Sequence, residues 1–314
     1  MAQTFLETWA RFSQNARLRW RWLGYGLTLL AFVYLAIILV YSGYQVRQLR
    51  WQDFWRPASL ALALYLLSLL LQLFVWARLL SFHRKVGWRD VAIYSRVLVM
   101  RRLPGGVWHW VGRTAFYTGE TELTGRVILL ANFLEWVLLL LVAAGIALYS
   151  WVDLPIVFRW AGGMALCLAA LALTIAWQPI SRPTWLKAID GGSWIAVYLL
   201  VWVLGGIILY RFAQAAGGTL DLLGGIWVWA LSGGSSLLFI IIPAGLGIRE
   251  ITLTWLLSPF LSPANALLIA ILIRLAFTLA DLIWGSLGLA LSRRPALLAE
   301  KADPIQESPG APKG

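Results

Sequence analysis

The stretch that decides the fold is Ile240-Ile241-Ile242-Pro243-Ala244-Gly245-Leu246-Gly247-Ile248-Arg249-Glu250. An apolar run enters it, a proline and two glycines interrupt it, and an Arg-Glu pair follows before a second apolar run begins at Ile251. Proline removes a backbone donor and glycine weakens a helix, so the run cannot continue as one regular helix. In a chain this apolar, the stretch predicts a broken helix inside a membrane, with two charges at the break.

Composition places the chain in the all-α class, as a polytopic membrane helix bundle. Of its 314 residues, 61% are hydrophobic and 13% are charged, and the mean hydropathy is +0.76. Soluble domains carry about 25% charged residues, and several segments here exceed the roughly 18 apolar residues that mark a membrane-spanning helix. The run 137–142 does not alternate, which excludes the short alternating strands of a transmembrane β-barrel.

Charge and cysteine content exclude further classes. The net charge of +12 is spread over short loops, so no basic face or domain predicts a nucleic-acid partner. We interpret this charge as setting membrane orientation and contacting anionic headgroups. Cys167 is the only cysteine, and neither His83 nor His109 belongs to a set with metal-ligand spacing. No disulfide, metal or other cofactor is therefore expected.

The apolar runs predict six membrane spans and two re-entrant broken segments. The spans are 23–41, 58–80, 127–149, 157–176, 193–210 and 267–291. The broken segments are 90–112 and 222–261. The apolar piece before the first break, 91–100, and the one after the second break, 251–261, are too short to cross a core of about 30 Å at 1.5 Å per residue. Eight plain spans is the competing interpretation, which hydropathy leaves open.

Basic residues set the predicted orientation. Residues 1–22 form a basic cytoplasmic segment, 23–292 the transmembrane domain, and 293–314 a disordered cytoplasmic tail rich in Pro, Gly, Glu and Lys. The basic loop that follows residue 80 and the pair Arg293-Arg294 fit the positive-inside rule. We expect a multi-pass protein of the inner cell membrane with both termini in the cytoplasm.

The two breaks indicate an internal repeat, with halves at about 23–150 and 151–292. Glu135 lies 31 residues after Pro104, and Arg274 lies 31 residues after Pro243, so opposite charges occupy the same offset. Three crossings per half would invert the second half, as in secondary transporters whose broken helices build the substrate site. The alternative is coincidence, because proline and glycine are frequent in membrane helices.

Ionisable side chains within these segments are candidate substrate-binding residues, since each costs a few kcal/mol in hydrocarbon and marks function by default. Together with the breaks and one amide, the candidates are Arg101, Arg102, Pro104, Gly105, Gly106, His109, Arg113, Asn132, Glu135, Pro243, Gly245, Gly247, Arg249, Glu250, Arg274 and Asp281. Arg274 and Asp281 are seven residues apart, which is two helical turns, so they share one face of their helix. His109, between two tryptophans, fits an interfacial position better than a catalytic one.

The two glutamates each admit two interpretations. Glu135 is suited to bind a substrate ammonium, a proton or an arginine, or to form a purely structural pair with Arg274 or Arg249. Glu250 either meets cargo or complements the dipole at the start of its helix. Arg249 follows Gly247 at that helix start, where backbone N–H groups and a guanidinium fork favour a headgroup phosphate.

These motifs resemble the membrane domain of the lysylphosphatidylglycerol synthase (flippase-like) family. The resemblance covers about residues 20–292 and rests on Leu103-Pro104-Gly105-Gly106 with Gly112-Arg113, Asn132-Phe133-Leu134-Glu135, Pro243-Ala244-Gly245-Leu246-Gly247-Ile248-Arg249-Glu250 and the Arg274 span. The stretch from Pro243 to Glu250 is its most specific part. The family's usual Glu-Arg is here Glu135-Trp136, which leaves the partner of Glu135 open.

The resemblance implies lipid translocation. Larger members join this domain to a soluble aminoacyl-transferase domain, which these 314 residues lack, so we expect a transporter more than an enzyme. The implied cargo is a phospholipid with an anionic or zwitterionic headgroup, or a polyisoprenyl-linked lipid, with a separate glycosyltransferase or aminoacyl-lipid synthase as partner. The alternatives are a membrane-embedded lipid-modifying transferase with Glu135, Glu250 or Asp281 as base, and a non-catalytic partner subunit of a synthase.

Overall fold

The computed structural model describes residues 51–102, 108–151, 153–238 and 245–302. The predicted first span and Pro104, Gly105, Gly106 and Pro243 lie outside these residues. Within the described ranges the chain is a helical bundle without strands, which confirms the predicted fold class. After a 3-10 turn at Trp51–Phe54, the helices are α1 Trp55–Ser81, α2 Trp88–Leu98, α3 Trp108–Glu120, α4 Gly125–Tyr149, α5 Ile156–Trp177, α6 Thr184–Ala215, α7 Leu222–Leu238, α8 Gly245–Leu257 and α9 Pro263–Ala302.

Five of these helices are long and apolar enough to cross a membrane: α1, α4, α5, α6 and α9 up to Ala290. They correspond to the five predicted spans that fall within the described residues. Large apolar side chains such as Leu70, Phe133 and Leu168 are exposed on their outer surfaces. Hydrocarbon accepts such side chains, and helices satisfy all their backbone groups internally. The chain is therefore a multi-pass helical membrane protein.

The other four helices form two short hairpins. Helices α2, α3, α7 and α8 have 11, 13, 17 and 13 residues, which gives lengths of about 16–26 Å. Arg89 at the start of α2 pairs with Glu120 at the end of α3, and the Tyr117 hydroxyl near the end of α3 donates to Asp90 O near the start of α2 at 3.4 Å. The first hairpin therefore returns to the end of the bundle from which it entered. Thr219 N, just before α7, donates to Phe260 O, just after α8, at 3.4 Å, so the second hairpin does the same.

The two hairpins enter from opposite ends of the bundle. Helix α1 precedes the first hairpin and α6 precedes the second, and these helices run antiparallel. Arg78 near the end of α1 pairs with Asp190 near the start of α6 at 2.9 Å. At the opposite end, the rings of Phe54 and Phe212 lie 6.3 Å apart. Each half is thus a long helix, a short hairpin and a long helix, and the second half is inverted, as the predicted repeat requires.

Each hairpin packs against the last long helix of the other half. Gly285 and Gly288 of α9 lie so close to α2 that a Cβ at Gly288 would stand 2.3 Å from Ser95 Cβ. Reciprocally, α7 packs on α4, where Trp136 Nε1 donates to Leu237 O at 3.1 Å. Glycines permit such close approach of membrane helices. In this crossed packing each hairpin contacts a long helix of the other half.

Candidate functional site

The centre of the first half is a buried ion pair between α3 and α4. Arg113 Nη1 donates to Glu135 Oε2 and to Asn132 Oδ1 at 3.0 Å. The Arg113 side chain is 1% exposed and the Glu135 side chain 6%. Glu135 is ten residues after the start of α4 at Gly125, about 15 Å along the helix axis. Two opposite charges therefore meet halfway along a span, where hydrocarbon excludes water.

Aromatic rings fix the position of the Arg113 guanidinium. Its Cζ atom lies 4.2 Å from the Trp76 ring centroid and 4.6 Å from that of Tyr94. Cation–π contacts of this kind contribute about 2 kcal/mol when desolvated. Trp76 is itself held by a hydrogen bond from Nε1 to the Tyr117 hydroxyl at 2.9 Å. The ring centroids of Trp76 and Tyr94 are 6.4 Å apart, so the rings cover two adjoining sides of the guanidinium.

A second ion pair occupies the equivalent place in the second half with the charges exchanged. Arg274 Nη1 of α9 donates to Glu250 Oε1 of α8. Glu250 follows the start of α8 by five residues, as Arg113 follows the start of α3, and Arg274 follows Pro263 by eleven. This pair is more open, since the Arg274 side chain is 33% exposed and the Glu250 side chain 10%.

Stacked aromatic rings connect the two ion pairs. The guanidinium of Arg249 lies 4.3 Å from the Trp229 ring centroid. Trp229 contacts Phe277 edge-on at 5.6 Å between centroids, and Phe277 stacks on Tyr65 at 3.8 Å with an interplanar angle of 9°. Tyr65 in turn interacts electrostatically with Arg101. The two halves therefore share one continuous polar and aromatic interior.

Arg101 links the first ion pair to α9. Its Nη2 donates to Gln72 Oε1 at 3.5 Å, and it interacts electrostatically with Asp281 and Glu135. Asp281 is fully buried. Across the connected interior, four arginines stand against three carboxylates among the described side chains: Arg101, Arg113, Arg249 and Arg274 against Glu135, Glu250 and Asp281. The surplus of one positive charge favours an anionic guest, and guanidinium forks match phosphate oxygens.

Five buried polar atoms around the Arg113–Glu135 pair have no hydrogen-bond partner in the described part of the chain. They are Glu135 Oε1, Arg113 Nε, Asn132 Nδ2 and the hydroxyls of Tyr94 and Tyr198. Glu135 interacts electrostatically with both tyrosines, so these groups face a common space. Buried polar groups are normally paired, and this cluster is therefore suited to receive a polar guest or a proton.

The structure brings some predicted site residues together and corrects one pairing. Glu135 pairs with Arg113 and not with Arg274, because α3 and α4 are consecutive and antiparallel whereas Arg274 is held by Glu250. His109 is half-buried beside Trp110 at 6.0 Å between ring centroids.

The remaining candidates have no described side chain at the site. Arg102 lies in the 3-10 turn after α2, and Gly245 and Gly247 lie in the first turn of α8, where only the backbone is described. Sequence reasoning missed the aromatic residues around the ion pairs, chiefly Trp76 and Tyr94. The available signal was their position, since both lie within helical segments and away from the ends where interfacial aromatic residues gather.

The described residues contain no group of three or more His, Cys, Asp or Glu side chains that could hold a metal ion. Comparison of the chain with protein-family models, with curated protein sequences and with solved structures gave no match in any of the three. Only the site itself therefore indicates a function for the chain.

Proposed function

We propose that the protein is a lipid flippase, which moves a phosphate-bearing lipid headgroup between the leaflets of the inner cell membrane. The observation that carries the proposal is that each of the two inverted hairpins forms one ion pair with the long helix that follows it. The arginine and the glutamate exchange places between the two ion pairs. Charges at this depth in a membrane protein mark a substrate or ion pathway. Broken helices that meet near the middle of the bundle are the way inverted-repeat transporters build such a pathway.

The electrostatics favour a phosphate as the transported group. The connected interior carries one more arginine than carboxylates, and Arg113, Arg249 and Arg274 would meet the phosphate oxygens. The unequal exposure of the two ion pairs supports a path open to one side, since Arg274 is 33% exposed and Arg113 only 1%. A carrier that opened both pairs at once would leave a polar leak through the bilayer.

The cargo follows from the family resemblance and the charge. An anionic or zwitterionic phospholipid, or a polyisoprenyl-linked lipid phosphate, presents the required group. A separate glycosyltransferase or aminoacyl-lipid synthase would supply it at the cytoplasmic leaflet, with both termini of the chain on that side. Transport would then run down a gradient of the lipid or be coupled to an ion.

A liposome assay tests the proposal. Purified full-length protein is reconstituted with a fluorescent phosphatidylglycerol, and an impermeant quencher reports how fast the inner-leaflet probe reaches the outer leaflet. Loss of a charge-assisted hydrogen bond is worth about 1.5–3 kcal/mol, so Arg274→Ala and Arg249→Ala should each slow the movement about ten- to hundredfold. The matched control is Arg126→Ala, an exposed arginine at the start of α4.

Two outcomes count against the proposal. Movement of the probe at the same rate in wild type, in both site variants and in protein-free liposomes would exclude lipid transport. Mass spectrometry of the lipids of a deletion strain separates the enzyme alternative. A flippase leaves the lipid species intact and changes their distribution between leaflets, whereas a transferase removes a modified species.

A further inference from the structure

We propose that a headgroup phosphate binding at Arg113 loads one proton onto Glu135, so that lipid movement is coupled to proton uptake. The inference rests on the proposed function and adds its coupling ion. It starts from the charge balance of the first ion pair. Arg113 carries one positive charge, and Glu135 already neutralises it by a direct contact.

In the described part of the chain, the charged side chains that face Glu135 already balance one another. The groups that face it are Arg113 from α3, Arg101 from the turn after α2, and the tyrosines Tyr94 from α2 and Tyr198 from α6. Arg101 also interacts with the buried carboxylate of α9, Asp281. Two arginines therefore already face two carboxylates, and a phosphate brings a third negative charge.

Protonation of Glu135 is the change that restores neutrality with the least rearrangement. A buried ionised carboxylate without a counter-charge is strongly disfavoured relative to its neutral form. A phosphate within about 5 Å of this carboxylate raises its affinity for a proton about a hundredfold in a site of intermediate dielectric. An O–H bond forms at Glu135 Oε1, and the O–H bond that breaks is one of hydronium in the water on the side from which the lipid enters. No covalent bond in the protein breaks.

The site has room to hold that proton. Glu135 Oε1 is buried and has no hydrogen-bond partner in the described residues, whereas Oε2 contacts Arg113. The hydroxyl oxygens of Tyr94 and Tyr198, also without partners there, are suited to accept a hydrogen bond from the new O–H group. Arg113 is then released from its carboxylate and donates to the phosphate.

The second ion pair differs in a way that predicts the stoichiometry. Arg274 is 33% exposed, so water screens an additional negative charge there and protonation of Glu250 is not required. One proton per lipid is expected and not two. The matched control is Glu122→Gln, because it removes an exposed carboxylate that lies outside the site.

Calorimetry on the full-length protein in detergent micelles tests the inference. Dioctanoyl phosphatidylglycerol is titrated at one pH in two buffers with different ionisation enthalpies, and the difference in heat gives the protons taken up per lipid. The number expected is about one for wild type and for Glu122→Gln, and zero for Glu135→Gln. The affinity of wild type should rise as pH falls, by up to about tenfold per pH unit.

Each outcome decides between the two proposals. Binding by wild type without proton uptake overturns the coupling and leaves the flippase proposal standing, and this measurement requires no variant to fold. Proton uptake that persists in Glu135→Gln overturns the assignment to Glu135. Absence of binding by folded wild type overturns the flippase proposal, and the coupling with it.

Discussion

Removing one member of the buried pair between Arg113 and Glu135 should destabilise the protein far more than removing both charges. Arg113→Gln leaves the Glu135 carboxylate, 6% exposed, without its counter-charge, and Glu135→Gln does the same to the guanidinium. Breaking a buried pair in this way costs about 3–5 kcal/mol. The double variant places two neutral amides opposite each other, able to hydrogen-bond.

The expected cost of the double variant is smaller because no buried charge remains. It loses the cation–π contacts of Arg113 with Trp76 and Tyr94, each worth about 0.5–2 kcal/mol. Its total cost is therefore about 1–4 kcal/mol, against a sum of about 6–10 kcal/mol for the two single variants. The difference is the coupling energy of the pair.

The measurement is the free energy of unfolding, from titration with sodium dodecyl sulfate in mixed micelles, followed by the near-ultraviolet signal of the tryptophans. Arg126→Gln, an exposed arginine on the same helix as Glu135, serves as control and should change stability by less than about 0.5 kcal/mol. Additive costs in the double variant, or single variants no worse than the control, would refute the ion pair as a buried structural unit.

Three further predictions test the fold. Gly288→Ala should destabilise the protein by about 1–3 kcal/mol because its Cβ would overlap α2, whereas Gly192→Ala, with nothing within 4 Å, should be neutral or stabilising in the same unfolding titration. In a chain whose native cysteine is replaced, Gly119→Cys should react with an impermeant thiol reagent from the cytoplasm and Ser258→Cys from outside. Labelling of both from one side would contradict the inverted arrangement. Trp136→Phe should cost about 1 kcal/mol by removing a hydrogen bond between the two halves, and no loss would show that the bond is not formed.

The five described spans could be predicted because each depends on local composition. A run of apolar residues long enough to cross hydrocarbon has few other stable structures. The ends of the helices could be predicted less well. Helix α6 covers Thr184–Ala215 and so exceeds the predicted 193–210, because polar residues at the membrane surface continue a helix as readily as they end it.

The pairing of the charges could be predicted only in part. The equal offset of Glu135 and Arg274 from their prolines indicated equivalent positions, and the structure gives each a partner in the preceding short helix. Which arginine reaches which carboxylate depends on how the hairpins fold back, and that is a property of tertiary packing. The rings of Trp76 and Tyr94 around Arg113 come from two further helices, so no sequence spacing reports them.

The crossed packing of the hairpins also sets an order of assembly. Helix α7 emerges from the ribosome after α4, so the helix on which the second hairpin packs is already in the membrane. The same does not hold for the first hairpin, because α2 packs on α9, the last long helix to be made. Until α9 is inserted, the first hairpin can pack only against helices of its own half. A chain cut short of α9 would therefore reach the membrane with the α9-facing side of α2 uncovered.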